Sequence, residues 1–270
     1  MPVPRVASRE YKVMIDTAGF DDPVAALGVV RDDIADIAGA IGLTLGGAFA
    51  ADAPKERDVR FLDTPDGTLR RNGLLFRQRI KRKSGKTDYT LKCRTEDRYV
   101  AAGRDLRPAA EYTSEGKFEE DVGVPFVSRF SRSETVELPD TDPLAGDRWP
   151  GTLGAAAKLF PALGSVKRDG LPCPPLTPLG LVNGTTAFER VFTGPDLLLA
   201  GVAAELAVVV WSRGKKGRPL TAEFSFRYGD EDENYPEPTA TFARRFFDAV
   251  QRCDWARPDG RTKTEFMYGA

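Results

Sequence analysis

The stretch RFLDTPDGTLRRNGLLFRQRIKRKSGKTDYTLKCR, residues 60–94, shows basic side chains at every second position. The side chains concerned are Arg77, Arg79, Lys81, Lys92 and Arg94. Side chains at i, i+2 and i+4 of a strand share one face, so the stretch predicts two strands that each carry a cationic face. Ser84-Gly85 lies between the runs and is typical of a turn, which predicts a hairpin. A surface that sets these cations side by side needs an anionic partner, because facing like charges are destabilising.

Two other interpretations of this alternation exist. An antiparallel sheet with one face in water shows it, and a basic β-surface is also typical of RNA-binding domains. The pattern recurs elsewhere with both signs of charge on one face, at Glu10 and Lys12, at Lys117, Glu119 and Asp121, at Glu223 and Arg227, and at Lys263 and Glu265. Aromatic or aliphatic residues occupy the opposite face of most of these segments. The recurrence favours a sheet that closes with its charged face inward, and roughly eight strands suffice to form a barrel.

Composition excludes several classes of function. The chain has 270 residues, and its 39 basic and 40 acidic side chains give a net charge of −1, unlike the basic excess of a general nucleic-acid binder. There is no histidine, which excludes Ser-His and Cys-His catalysis and a histidine-ligated metal. The three cysteines show no metal or disulfide spacing, which favours the reducing cytoplasm. No apolar run approaches the roughly 20 residues of a membrane span.

These patterns predict the α+β class, with a closed antiparallel eight-stranded β-barrel that has a charged interior and helices packed outside. We expect one domain over residues 1–270, with irregular insertions near residues 95–115, 128–150 and 164–180. Helices are predicted from Pro23, where Asp22 is a favourable N-cap, over residues 152–163 and over residues 239–253. The last segment, residues 261–269, alternates and predicts a closing strand.

Several short motifs together resemble the CYTH domain of the triphosphate tunnel metalloenzymes, the family that includes class IV adenylate cyclases and thiamine triphosphatases. The matching segments are Phe61 with Asp63-Thr64-Pro65, Phe76-Arg77-Gln78-Arg79, Thr90-Leu91-Lys92, residues 8–12 in place of Glu-x-Glu-x-Lys, residues 222–225 in place of a Glu-x-Glu strand, and Thr262-Lys263. Their order and spacing carry the resemblance along most of the chain.

The resemblance implies a barrel whose tunnel binds a triphosphate-containing anion. The phosphate-binding residues that it implies are Lys12, Arg77, Arg79, Lys92, Arg190 and Lys263. It also implies Mg²⁺ or Mn²⁺ on carboxylates, here Glu10, Glu223, Glu119 and Asp121. The chain departs from the family pattern at Ser8 and Ser225, where the family has glutamate. A hydroxyl is a weaker ligand than a carboxylate for a hard cation.

Three functions are therefore considered. The first is binding of a triphosphate with weak metal-dependent hydrolysis, as in an inorganic triphosphatase. The second is non-catalytic binding of polyphosphate, a nucleotide or another anionic metabolite beside a degenerate metal site. The third is an RNA-binding β-surface, although the balanced charge disfavours nucleic acid. A small anionic ligand is the expected partner, and no membrane association is expected.

Overall fold

The computed structural model describes residues 4–20, 22–257 and 259–269. Its strands are β1 (Ser8–Ile15), β2 (Thr44–Gly46), β3 (Lys55–Asp63), β4 (Leu74–Lys81), β5 (Thr87–Thr95), β6 (Ser114–Gly123), β7 (Val127–Leu138), β8 (Lys167–Arg168), β9 (Leu171–Pro172), β10 (Gly180–Leu199), β11 (Val202–Ser212), β12 (Pro219–Gly229) and β13 (Ala256–Arg257). The helices are α1 (Pro23–Ala40), α2 (Thr68–Arg71), α3 (Arg98–Gly103), α4 (Leu153–Ala157), α5 (Glu237–Val250) and α6 (Lys263–Met267), with 3₁₀ turns at Thr17–Gly19 and Pro161–Ser165.

Nine of these strands form a closed barrel in the order β11-β12-β1-β6-β7-β5-β4-β3-β10, and β10 pairs with β11 to complete the ring. The predicted closed barrel with helices outside is confirmed. The strand number is nine rather than eight, and β1 runs parallel to β6 whereas the other neighbours in the ring are antiparallel. A closed ring with an odd number of strands must contain a parallel pair, which explains why the fully antiparallel arrangement was wrong. The short β2 and β13 extend the sheet from β10 and β1.

Most of the apolar core lies on the outer face of the barrel, beneath the helices, whereas a smaller cluster with Val59, Phe61 and Val209 lies on the inner face. Tyr11 and Val13 of β1 belong to one buried cluster with Phe226 of β12, together with residues of α1 and α5. A second cluster joins the outer faces of β4 and β5 to α4 and the following 3₁₀ turn. Because the outer face takes the apolar residues, strand alternation directs the charged residues into the barrel.

Helix α1 begins where the sequence predicts. The Asp22 carboxylate accepts hydrogen bonds from the backbone N–H groups of Val24 and Ala25, and Pro23 occupies the first helical position. Among the described residues, no helix is both long and apolar enough to cross a bilayer.

Three predictions of local structure were wrong. Residues 128–138 belong to β7 rather than to an irregular insertion, and the small polar Ser131, Ser133 and Thr135 on the inner face of this strand concealed its period. The closing segment forms α6 instead of a strand, because Thr262 and Glu265 form a capping box. The helix predicted over residues 152–163 is shorter, because α4 ends at Ala157. A 3₁₀ turn begins at Pro161, whose ring provides no N–H for an α-helix.

Candidate functional site: a tunnel of paired and unpaired charges

The tunnel is lined by the strand faces that point away from the helices. Arg77, Arg79 and Lys92 face into it, as do Glu10 and Lys12. Cross-strand register shows this, because Arg77 lies opposite Thr90, Arg79 opposite Asp88 and Lys92 opposite Ser133, all on the inner face. The structure therefore brings into one cavity the side chains that sequence alternation places on one surface.

Arg77 is a buried cation without a carboxylate partner in the described part of the chain. Its Nη2 donates a hydrogen bond to Thr90 Oγ1 at 3.3 Å, and its Nε is buried with no acceptor. Burial, together with the positive charge of Arg79, holds the pKa of Arg77 well below its ordinary value. The Nε atoms of Arg79 and Arg94, and that of Arg190 on the outer face, are likewise buried without acceptors. This wall of the tunnel therefore has unused donors and excess positive charge.

Glu189 is the acidic residue of this wall, and sequence reasoning missed it. Its side chain is 2% exposed, lies 3.1 Å from Arg57 Nη1 and 3.6 Å from Arg79 Nη2, and accepts a hydrogen bond from Trp211 Nε1 at 3.0 Å. Burial opposes the ionisation of Glu189, but Arg79 and Arg57 outweigh it and lower its pKa to about 2. The carboxylate is therefore a permanent anion that holds two arginines in place.

Arg190 does not join the tunnel, which corrects the sequence prediction. It lies opposite Glu56 and Val210 on the outer face of β10, and its guanidinium is 5.8 Å from the ring centroid of Phe192. The sequence prediction placed the inner face of β10 one residue too far along, at Arg190 instead of Glu189. A shift of one residue moves a side chain to the other face of the sheet. Phe188 and Phe192 share the face of Arg190, and these aromatic neighbours were a signal for the outer side.

The opposite wall carries the predicted carboxylates, and cations of the chain already bind them. Lys12 Nζ lies 2.8 Å from Glu10 Oε2 and 2.5 Å from Asp121 Oδ1. Asp121 Oδ2 also accepts from Arg94 at 2.7 Å and lies 3.4 Å from Lys92 Nζ. Burial opposes ionisation of both acids, yet Lys12 and the neighbouring cations lower the pKa values of Glu10 and Asp121. Burial likewise disfavours the Lys12 ammonium, but Asp121 and Glu10 raise its pKa.

Glu119 and Glu223 complete this wall. Glu119 accepts a hydrogen bond from Ser8 Oγ at 3.2 Å, and Glu223 Oε1 lies 2.9 Å from Lys263 Nζ. Lys263 is thus near the tunnel although it belongs to α6 and not to a strand. Ser8 and Ser225 both face the interior, because Ser8 lies beside Glu119 and Ser225 beside Lys12.

The donor set does not fit a divalent metal. Among the described residues, no three carboxylates are grouped closely enough to form a metal site. Lys12 already lies between Glu10 and Asp121. A unit charge about 4 Å from a like charge is repelled by about 4 kcal/mol at an effective dielectric constant of 20, and a doubly charged ion is repelled about twice as strongly. The two hydroxyls at positions 8 and 225 supply no negative charge to offset this repulsion.

The tunnel differs at its two ends. A half-open cavity of about 780 Å³ lies at the end marked by Ser8, Glu119 and Arg227. Toward the other end of β12, Met267 of α6 packs in a buried cluster with Trp211. Ser8, Glu119 and Arg227 line this cavity, whereas Arg77, Arg79 and Lys92 do not.

No protein-family model matches the chain, and no curated protein sequence gives a significant match. Solved structures do match. A candidate adenylyl cyclase from Hippeastrum, described as having a dominant triphosphatase activity, is 10% identical, with 98% of this chain and 96% of that chain covered and a TM-score of 0.48. A candidate adenylate cyclase from Bacillus halodurans is 12% identical, with coverages of 90% and 92% and a TM-score of 0.38. The PH1012 protein from Pyrococcus horikoshii is 12% identical, with coverages of 93% and 95% and a TM-score of 0.35.

The closed barrel with charged side chains on its inner face agrees with the architecture expected from the sequence. The matched structures have identities of 10–12% and TM-scores of 0.35–0.48, which are too low to assign a function. The function is therefore argued from the residues of this tunnel.

Proposed function

We propose that this protein binds a short polyphosphate anion, of the inorganic triphosphate class, inside its tunnel. The observation that carries the proposal is Arg77, a guanidinium that faces the tunnel, has no carboxylate partner among the described residues and keeps a buried, unused Nε. A buried charge is costly unless it is paired, so such a group implies an anion that arrives from outside the chain.

The neighbouring donors fit more than one phosphoryl group. Arg77 and Arg79 are separated by one residue of β4, so they share a face, and Lys92 lies on the adjacent strand β5. Guanidinium groups offer paired N–H donors to phosphate oxygens, and an ammonium adds a point charge. A linear triphosphate could therefore use each of these side chains, whereas a single phosphate would leave part of the wall unsatisfied.

The enclosure of these cations disfavours the RNA-binding alternative. The side chain of Lys92 is 16% exposed and that of Arg79 is 25% exposed, and both face the inside of the barrel. A duplex cannot enter such a space, and long single strands bind along open basic grooves. The proposal does not include hydrolysis. The resemblance to the family implies hydrolysis with Mg²⁺ or Mn²⁺, and the carboxylates of this wall do not fit such an ion.

The test is titration calorimetry with inorganic triphosphate. The Arg77→Gln variant should bind about 10–100-fold more weakly, because a hydrogen bond to a charged group contributes roughly 1.5–3 kcal/mol. Arg190→Gln is the matched control, since it removes the same charge from the outer face, and it should bind like the wild type. An absence of binding by the wild type, or an equal loss in the two variants, would contradict the proposal. A long RNA that binds more tightly than triphosphate, with a steep salt dependence, would favour the RNA alternative.

A further inference from the structure

The Lys12 ammonium occupies a place with the features of a cation site. Glu10 and Asp121 contact it directly, and the charge of Glu223 also stabilises its protonated form. It therefore has carboxylates around it as a bound metal ion would have. Unlike a metal ion, it is covalently part of β1 and cannot leave.

Several of the remaining oxygens of this group also accept from donors of the chain. Asp121 Oδ2 accepts from Arg94 and from Ser131 Oγ, at 2.7 and 3.3 Å. Glu223 is held by Lys263, and Glu119 by Ser8. Mg²⁺ and Mn²⁺ bind through oxygen ligands such as carboxylates, and each carboxylate of this wall already contacts a donor of the chain.

We infer that Lys12 replaces a divalent ion in this tunnel, so that the protein binds its polyanion without metal. This inference rests on the proposed function, since it concerns how the same ligand is held. The ammonium neutralises Glu10 and Asp121, which would otherwise repel the phosphates. Arg77, Arg79 and Lys92 are then available to contact the ligand directly.

The first test compares triphosphate binding in excess EDTA with binding in excess Mg²⁺. Full affinity in EDTA is the expected result, and Mg²⁺ should only weaken binding by complexing the free ligand. Binding that requires Mg²⁺ or Mn²⁺ would overturn this inference while it supported the proposed function. An absence of binding under both conditions would instead contradict the proposed function, so the two failures are distinguishable.

The second test measures Mn²⁺ binding without ligand, from the loss of the free-ion signal in electron paramagnetic resonance. The wild type should leave Mn²⁺ free. Lys12→Met keeps the aliphatic stem but removes the ammonium, so the folded variant should bind Mn²⁺ on Glu10 and Asp121. The control is Lys117→Met, which removes a half-exposed lysine paired with Glu115 and should leave Mn²⁺ free. Mn²⁺ binding by the wild type, or none by folded Lys12→Met, would overturn the inference.

A further variant covers the case in which Lys12→Met does not fold. Glu10→Gln should bind triphosphate in EDTA at least as tightly as the wild type, because it removes a negative charge near the phosphates. If Glu10 were a metal ligand on which binding depends, the wild type would bind triphosphate only in Mg²⁺ and Glu10→Gln would lose that affinity in Mg²⁺, and this result would overturn the inference.

Discussion

Arg79 Nη2 lies 3.6 Å from Glu189 Oε2, although their strands, β4 and β10, are separated by β3. On the intervening strand β3, Val59 is paired with Arg79 on one side and with Ala187 on the other. Its small side chain lets Arg79 cross β3 to Glu189. Arg57 of β3 contacts the other oxygen of the same carboxylate. Glu189 thus ties three strands of the cationic wall together, and it sets how far the arginines lean into the tunnel.

The first prediction follows from this relationship. Glu189→Gln keeps the size of the side chain but leaves Arg57 and Arg79 without their anion. We expect the free energy of unfolding to fall by about 3 kcal/mol, since breaking a buried ion pair costs roughly 3–5 kcal/mol. Urea denaturation measures the change. The control is Glu205→Gln, whose partner Arg227 is near the surface and whose own side chain is 72% exposed, and it should change stability by less than about 1 kcal/mol. Equal losses would contradict the structural role of Glu189.

The second prediction concerns acid stability. The pKa of Glu189 is lowered from 4.5 to about 2, because its arginines outweigh burial. A carboxyl group with a lowered pKa in the folded state contributes stability that is present above its unfolded pKa and lost as pH falls through the folded pKa. About 3 kcal/mol should therefore be lost between pH 4.5 and pH 2. The difference in stability between wild type and Glu189→Gln should shrink over this window, and a constant difference would contradict the assignment.

The sequence predicts those parts of the molecule in which local pattern and tertiary environment agree. In β4 and β5 a cationic face alternates with an apolar one, so both the strands and their inward side were predicted correctly. In β10, Glu189 and Arg190 are adjacent and opposite in charge, and only pairing with β3 and β11 determines which one enters the tunnel. In β7, Arg132 and Glu134 on the outer side and serines on the inner side leave no apolar period. The pairing of Lys12 with Asp121 also depends on the parallel contact between β1 and β6, which local sequence does not encode.

The third prediction separates binding residues from structural ones. Arg77 forms no ion pair among the described residues, and burial lowers its pKa although Glu189 opposes this, whereas Arg94 contacts Asp121 and its pKa is raised despite burial. Arg77→Gln should therefore stabilise the ligand-free protein by about 0.5–2 kcal/mol, the gain that single stabilising substitutions commonly give. Arg94→Gln should destabilise it, because it removes one of the cations that compensate the buried charge of Asp121.

Thermal unfolding without ligand checks the signs of these two changes, and triphosphate titration checks the loss of affinity in Arg77→Gln. A destabilised Arg77→Gln variant that retains full affinity would show that Arg77 supports the fold and does not bind the ligand.

The last prediction is a pH dependence of ligand binding. Burial, aided by the charges of Arg94 and Lys12 and opposed by Asp121, lowers the pKa of Lys92 to about 8. The ammonium is therefore charged below pH 8 and loses its proton above it. If Lys92 contacts a phosphate, affinity should fall as pH rises past 8, by about tenfold or more once the charge is lost. Triphosphate itself gains negative charge as pH rises, which acts in the opposite direction and requires a control.

Lys92→Arg provides that control, because a guanidinium stays charged throughout this range. The ratio of the dissociation constants of wild type and Lys92→Arg should be constant below pH 7 and should rise above pH 8. Calorimetry near pH 8 in buffers of different ionisation enthalpy should also show proton uptake on binding by the wild type, since the bound anion favours the charged form of Lys92. The variant should show less uptake. A ratio that does not change with pH would place Lys92 outside the ligand contact, and its lowered pKa would then reflect burial among the other cations alone.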